Sequence, residues 1–244
     1  MSQLCESEEQ IAQPLYCRYV FIHGIMPIQA EILHEEPYVV VFHRLVSKFD
    51  SNRVIKLMEP YEKQAIIGGL GHGARTNSAI RNSTSGILEE PAYTQCIIKK
   101  WYPAIKTLSG LNIIEPAAEK MAITHYETGG YYTVHYDSEM TSPPHLRRLG
   151  TFLLYLSGNY RGGNTIFPHM QLAFTPQQGD GLLFYSHLTN TLLDEKTLHM
   201  GCPLKDGNKW IGSLWIRNFT QAGPAATCYG DGLYVKPGFL QSSF

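Results

Sequence analysis

The chain has 244 residues, enough for one large domain or two small ones. Hydrophobic residues make up 43% and charged residues 17%, which excludes both disorder by composition and a charged helical rod. Lys plus Arg (20) nearly balances Asp plus Glu (21), for a net charge of -1, so bulk electrostatics recruits neither nucleic acid nor an anionic membrane and any charge that matters is local.

Glu6, Glu8 and Glu9 stand where a secretory signal needs a basic and then an apolar stretch, so the chain is expected either to be cytoplasmic or to have lost a signal. No run of about 18 apolar residues occurs, so no membrane-spanning helix is expected. Residues 1–37 read as a loop-rich lead-in and residues 38–244 as the main folded domain. The run Tyr38-Val39-Val40-Val41-Phe42 reads as a strand. Residues 50–63 place Val54, Leu57, Met58 and Tyr61 at helical spacing, with Asp50 or Ser51 as N-cap. Residues 90–108 read as a second helical region that Pro103 must end or kink. From Met121 onward, runs rich in Tyr, Phe, Thr, Val and Ile alternate with Gly- and Pro-containing turns. Strands are expected at 121–127, 131–137, 150–156, 164–167, 170–175, 181–185, 197–202 and 209–217. The fold class is therefore mainly β (α+β), a jelly roll with the earlier helices packed on one sheet.

The stretch Tyr131-Tyr132-Thr133-Val134-His135-Tyr136-Asp137 carries the first chemistry. Residues two apart in a strand share a face, so His135 and Asp137 present an imidazole and a carboxylate about 7 Å apart at their Cα atoms. His199 lies downstream, and ten residues later the strand Lys209 to Arg217 begins. Alternation puts Lys209, Ile211, Ser213, Trp215 and Arg217 on one face. A Lys pointing into a barrel needs an anionic partner, and no neighbouring carboxylate suggests itself, so a ligand carboxylate is the natural candidate. Two His and one Asp form the facial triad that leaves positions open on Fe(II), whereas a structural zinc site would need four ligands. A surface His on a strand, a core histidine at His199 and a solvated Lys209 are the bland alternatives.

Tyr126 through His125-Tyr126-Glu127-Thr128-Gly129-Gly130 to Asp137, the segment LGTFLLYLSGNYRGGNTIFP, then TPQQGDGLLFY and LHMGCPLKDGNKWIGSLW, strongly resemble the prolyl 4-hydroxylase catalytic domain, nearest the collagen-type alpha subunit. The likeness extends upstream through Arg81-Asn82-Ser83-Thr84-Ser85, similar to the family's RxSxS segment, to Cys17-Arg18-Tyr19. It implies a double-stranded β-helix core and peptidyl-proline 4-hydroxylation dependent on Fe(II), 2-oxoglutarate and O2, with L-ascorbate in support. It also implies His135, Asp137 and His199 as metal ligands and Lys209 as partner of the distal 2-oxoglutarate carboxylate. Tyr126 and Thr151 match positions that hold the cosubstrate, and Tyr132, Arg148 and Trp215 match positions that contact the peptide. Gly162-Gly163-Asn164-Thr165 with Phe167-Pro168 matches a turn read as structural.

Arg217, counted with Tyr132, Arg148 and Trp215 as a substrate-binding position, stands where the resembled family usually has His, and a guanidinium cannot act as a neutral acceptor. It is the feature that favours a non-hydroxylating peptide-binding module; a dioxygenase acting on another residue is the remaining alternative. The implied substrate is a proline-rich or collagen-like peptide, and protein disulfide isomerase is the implied partner; the N-terminal domains of the collagen-type subunits are not represented, so a fragment or a short form is expected. Of the five cysteines, none has CxxC spacing. The resemblance pairs Cys202 with Cys228, leaves Cys5 to pair with Cys17, and makes Cys96 the free thiol, which favours the endoplasmic reticulum lumen. Asn82-Ser83-Thr84 and Asn218-Phe219-Thr220 have the form of glycosylation acceptors.

Overall fold

A computed structural model describes residues 2–6, 15–22, 26–67, 75–87, 92–219, 221 and 234–241. The chain opens with a helical turn, α1 (Ser2–Glu6), and strands β1 (Tyr16–Ile22), β2 (Met26–Glu35) and β3 (Tyr38–Phe42). Helix α2 (Lys48–Met58) is followed by the short strands β4 (Lys63–Gln64), β5 (Ile66–Ile67), β6 (Arg75–Thr76), β7 (Arg81–Asn82) and β8 (Thr84–Ile87). Helices α3 (Ala92–Lys99) and α4 (Tyr102–Ser109) come next. Strands then dominate: β9 (Ala122–Tyr126), β10 (Tyr131–His135), β11 (Arg148–Tyr155), β12 (Tyr160–Gly162), β13 (Thr165–Phe167) and β14 (Leu172–Phe174). The last are β15 (Gly181–Tyr185), β16 (His199–Gly201), β17 (Leu204–Gly207) and β18 (Lys209–Arg217).

Among the described residues, a large sheet has the order β1-β2-β3-β15-β11-β18-β9-β8-β4 and a smaller one the order β14-β13-β16-β10-β7. All pairings are antiparallel, as a jelly roll requires. The period of two along each central strand divides its side chains between two cores. Phe42, Phe152, Leu154, Leu183, Tyr185, Leu214 and Ile216 pack with Val54, Met58, Ile97, Trp101, Ile105 and Leu108 of the helical layer. The alternate residues Val39, Val41, Leu153, Tyr155, Phe184 and Ile211 face the small sheet and meet Phe167, Leu172 and Phe174. The result is three layers, with helices on the outside of the large sheet and the site between the sheets.

Four expectations are corrected. The lead-in is not a loop: β1 and β2 form a hairpin that extends the large sheet through β3. In β2 the residues Ile28, Ala30 and Ile32 are buried in strict alternation. Helix α2 begins earlier than expected. Ser47 is its N-cap and its hydroxyl accepts from the Asp50 amide at 3.0 Å, leaving Asp50 in the first turn where a carboxylate suits the helix dipole. The 90–108 region is two helices, because Pro103 lies in the first turn of α4, where its missing N–H costs nothing.

The fourth correction is the cysteine pairing. Cys5 is joined to Cys202, with a Cα separation of 5.5 Å. Leu4 and Cys5 of α1 pack on Ile166, Ala173, Met200 and Cys202 of the small sheet, which brings the two sulfurs together. Cys17 is an exposed thiol on β1 near Glu31, Cys96 is also free, and Cys228 lies outside the described residues. The bridge closes a loop of 197 residues in sequence. Cys5→Ser is expected to lower stability by about 2–4 kcal/mol, measured by urea unfolding of oxidised protein. A midpoint unchanged by the substitution contradicts the pairing.

Candidate functional site

His135 ends β10 and faces His199, the first residue of β16, as its direct cross-strand partner. Asp137 follows two residues after His135. The ligand atoms of His135, Asp137 and His199 all lie within 4.8 Å of one another. His135 Nε2 is 3.6 Å from Asp137 Oδ1, and His199 Nε2 is 3.7 Å from Oδ2. Each imidazole is anchored on its far side: His135 Nδ1 meets the Thr133 carbonyl at 2.8 Å and His199 Nδ1 the Thr197 carbonyl at 2.9 Å. A carbonyl accepts only, so each Nδ1 carries the proton and each Nε2 turns a lone pair toward Asp137.

Burial, followed by the electrostatic influence of the neighbouring His135, pushes the His199 pKa down to about 4, so this ring is neutral at pH 7. Burial acts to raise the Asp137 pKa, but the neighbouring His199, His135 and Arg148 outweigh it and hold the carboxyl well below the usual range. Two imidazole nitrogens and one carboxylate, with backbone carbonyls on the far side of both rings, are a donor set that fits Fe(II) with coordination positions to spare.

Lys209, at the start of β18, is 4% exposed and opens into the same cavity as the triad. Its ammonium donates to the Gly163 carbonyl and lies 5.4 Å from the centre of the Tyr155 ring and 5.9 Å from that of Tyr126. Gly163 has φ +67, and a Cβ there would come within 2.8 Å of Leu204, so only glycine turns its carbonyl to this ammonium. No carboxylate pairs with Lys209 among the described residues. Burial alone accordingly drives its pKa down to about 7. The cavity thus holds an ammonium with no carboxylate partner among the described residues, together with the His135, Asp137 and His199 ligand set.

Ile211, Ser213 and Trp215 continue the Lys209 face along the cavity wall, as alternation predicts. Tyr126, paired with Lys209 in register, and Tyr132, stacked on His135 at 3.6 Å, line it as well. Thr151, matched to a cosubstrate-holding position, is not among the residues that line the cavity; its hydroxyl donates to Asp137 Oδ2 at 2.6 Å and so orients the carboxylate. Arg148 and Arg217 are not part of the lining either. Arg148 is bound to Glu119 by two hydrogen bonds of 2.7 and 2.9 Å, stacks 4.0 Å from the centre of the Trp215 ring and donates to the Asp137 carbonyl at 3.3 Å.

Three residues that sequence reasoning gave no role complete the site. Glu119 organises the arginines from outside any motif. Thr165, in the turn read as structural, lines the cavity and bonds the Tyr155 hydroxyl at 2.8 Å. Arg81, in the RxSxS-like segment, is buried and lies 4.7 Å from the centre of the Tyr132 ring, with its donors on Ser83, Thr124 and the Ile66 carbonyl.

Comparison with known proteins agrees with this geometry. The family described as the 2OG-Fe(II) oxygenase superfamily matches residues 121–217, which hold the triad and Lys209. "Probable prolyl 4-hydroxylase 3" of Arabidopsis thaliana is 30% identical over 210 residues, 76% of this chain and 71% of that protein. The chain belongs to the prolyl 4-hydroxylase family. The human prolyl 4-hydroxylase subunit alpha-3 is 29% identical over 218 residues, covering 85% of this chain, and the chain spans only 39% of that subunit's length. Among solved structures, the viral collagen prolyl hydroxylase of Paramecium Bursaria Chlorella virus-1, in a 2-oxoglutarate complex, superposes with a TM-score of 0.58 at 25% identity. That match covers 75% of this chain and 97% of the viral one.

As a member of this family, the chain should lose metal affinity when Asp137 loses its support. Thr151→Val removes the hydroxyl at nearly constant volume and is expected to weaken Mn(II) binding about 10- to 100-fold, measured by equilibrium dialysis. Equal affinity in both proteins would show that Thr151 does not orient the ligand.

Proposed function

We propose that the chain hydroxylates proline in proline-rich peptides at C4, using Fe(II), 2-oxoglutarate and O2. The observation that carries this reading is the convergence of His135, Asp137 and His199 in one cavity with a buried Lys209 that has no carboxylate partner among the described residues. When bound, Fe(II) and 2-oxoglutarate supply an oxidant able to hydroxylate an unactivated C–H bond, with succinate and carbon dioxide as products. His135 Nε2, His199 Nε2 and Asp137 would hold the metal. Lys209 would meet the distal carboxylate of 2-oxoglutarate.

The remaining residues position and shield. Leu153 and Ile211, both buried at the cavity wall, exclude water from the ground between Lys209 and the triad. Tyr155, hydrogen-bonded to Thr165, fixes the polar side of that pocket. Trp215 offers something to the peptide: its Nε1–H is buried and has no partner among the described residues, although the ring lines the cavity. An orphaned buried donor costs roughly 1–3 kcal/mol, and a backbone carbonyl of a docked peptide would satisfy it. A polyproline II segment suits this wall because it is extended before binding and loses little entropy on docking.

Arg217 does not argue for a silent module, since its guanidinium lies against Glu119 and leaves the metal and Lys209 pockets unobstructed. Ascorbate is included in this reading as the reductant that restores oxidised iron. The endoplasmic reticulum lumen is the compartment, supported by the Cys5–Cys202 bridge, which persists under oxidising conditions.

Purified protein with Fe(II), 2-oxoglutarate and ascorbate is expected to release succinate at a rate that rises severalfold on adding a proline-rich peptide, with 4-hydroxyproline detected by mass spectrometry. His199→Ala should abolish both. Iron-loaded protein that binds 2-oxoglutarate yet leaves proline unmodified in every such peptide contradicts the assignment.

Lys209 gives a pH signature. With a pKa of about 7, the ammonium is charged below neutrality and increasingly neutral above it, whereas a dicarboxylate needs it charged. Affinity for 2-oxoglutarate in Mn(II)-loaded protein is therefore expected to be highest below pH 7 and to fall by up to about tenfold per pH unit above it. Lys209→Met should lower the affinity and flatten the profile. A profile unchanged by that substitution shows that another group is responsible.

A further inference from the structure

The Arg217 side chain is only 15% exposed, yet it makes one hydrogen bond among the described residues, a long one from Nε to Glu119 Oε1 at 3.4 Å. That carboxylate is already engaged on both oxygens by Arg148. The two terminal amino groups of Arg217 therefore have no protein acceptor among the described residues, although a guanidinium is a fork of five donors. Arg147 is close by and directs its donors to the Ser142 and Met140 carbonyls at 3.0 and 2.9 Å. Arg148 and Arg217 face one another across β11 and β18. Two guanidiniums thus meet at Glu119 at this end of the sheet. Glu119 is the carboxylate both of them address, and Arg148 holds it by the shorter contacts.

Position gives this charge a use. Side chains 209, 211, 213 and 215 line the cavity from one face of β18, and Arg217 is the next on that face, about 7 Å beyond Trp215. Trp215, which lines the cavity and whose buried indole N–H has no acceptor among the described residues, is thus followed along the strand by a guanidinium whose terminal amino groups have no acceptor among them either. A polyproline II chain advances about 3.1 Å per residue, so the gap corresponds to roughly two residues of an extended peptide.

We propose that Arg217 reads a carboxylate on the substrate, an Asp or Glu side chain within about three residues of the target proline, so that acidic proline-containing peptides are the preferred substrate class. A planar guanidinium matches a carboxylate through two parallel hydrogen bonds, which neither a histidine nor a lysine can reproduce. The inference rests on the hydroxylase reading for the word substrate; recognition of the carboxylate stands on the geometry of Arg217.

The test uses the full chain loaded with Mn(II) and 2-oxoglutarate and a set of fluorescein-labelled proline-rich peptides. Each carries one Asp or Glu at a position from three before to three after the proline, and its control carries Asn or Gln. Fluorescence anisotropy is expected to give about tenfold tighter binding for the best acidic peptide, with the margin shrinking as salt is raised. Arg217→Glu should reverse the order in favour of lysine-bearing peptides, and Arg217→Gln, the milder change, should level it; thermal melts verify the fold of each. Equal affinity for acidic and neutral peptides at every position, or an order unaltered in both variants, overturns the proposal. Succinate release on the same peptides separates the two readings. Discrimination without turnover contradicts the hydroxylase and supports Arg217 recognition, whereas turnover without discrimination refutes Arg217 recognition alone.

Discussion

Two imidazoles held with their Nε2 lone pairs toward a single buried carboxylate are the constraint on which the molecule turns. Nothing about histidine alone secures this. It requires the antiparallel pairing of β10 with β16, which sets His135 opposite His199, and it requires the Thr133 and Thr197 carbonyls to fix both tautomers. The small sheet carries the ligands, and the large sheet supplies their support through the Thr151 hydroxyl and the Arg148 contact with the Asp137 carbonyl. Glu119 then anchors Arg148, so a residue remote from the metal position helps set the direction of a ligand.

Strand β18 joins stability to chemistry. Its even-numbered residues, Trp210, Leu214 and Ile216, pack with the helical layer, and the odd-numbered ones face the cavity. A register slip of one residue would expel Lys209 from the site and drive Leu214 into it, so the hydrophobic core on one face enforces the polar array on the other. That array is not the most stable one available. An ammonium buried against a carbonyl, and an indole N–H, neither with a further acceptor among the described residues, both cost folding free energy, and such violations of local rules are expected where a ligand is to complete them.

Legibility in the sequence followed how local each signal is. The strands from Met121 onward and the face of β18 were readable because alternation and turn chemistry are local, and the triad because two ligands share a short motif. The β1–β2 hairpin was hidden, although Ile28, Ala30 and Ile32 alternate cleanly, because exposed Tyr19, Phe21 and Met26 blur the pattern of an edge ribbon. Glu119 and the Cys5–Cys202 bridge depend on contacts between residues distant in the chain, and no spacing encodes those. The contact of Thr151 with Asp137 is not legible in the sequence, because a strand hydroxyl can face either a ligand or the residue that binds it, and only the three-dimensional position of Asp137 shows this bond.

The most direct measurement of the central claim is calorimetric titration of 2-oxoglutarate into anaerobic protein with and without Mn(II), in the wild type and in His135→Ala. The account predicts one metal per chain and saturable 2-oxoglutarate binding that depends on that metal, with both lost when His135 is removed. Binding of 2-oxoglutarate that ignores the metal, or metal uptake that survives loss of His135 undiminished, would contradict it.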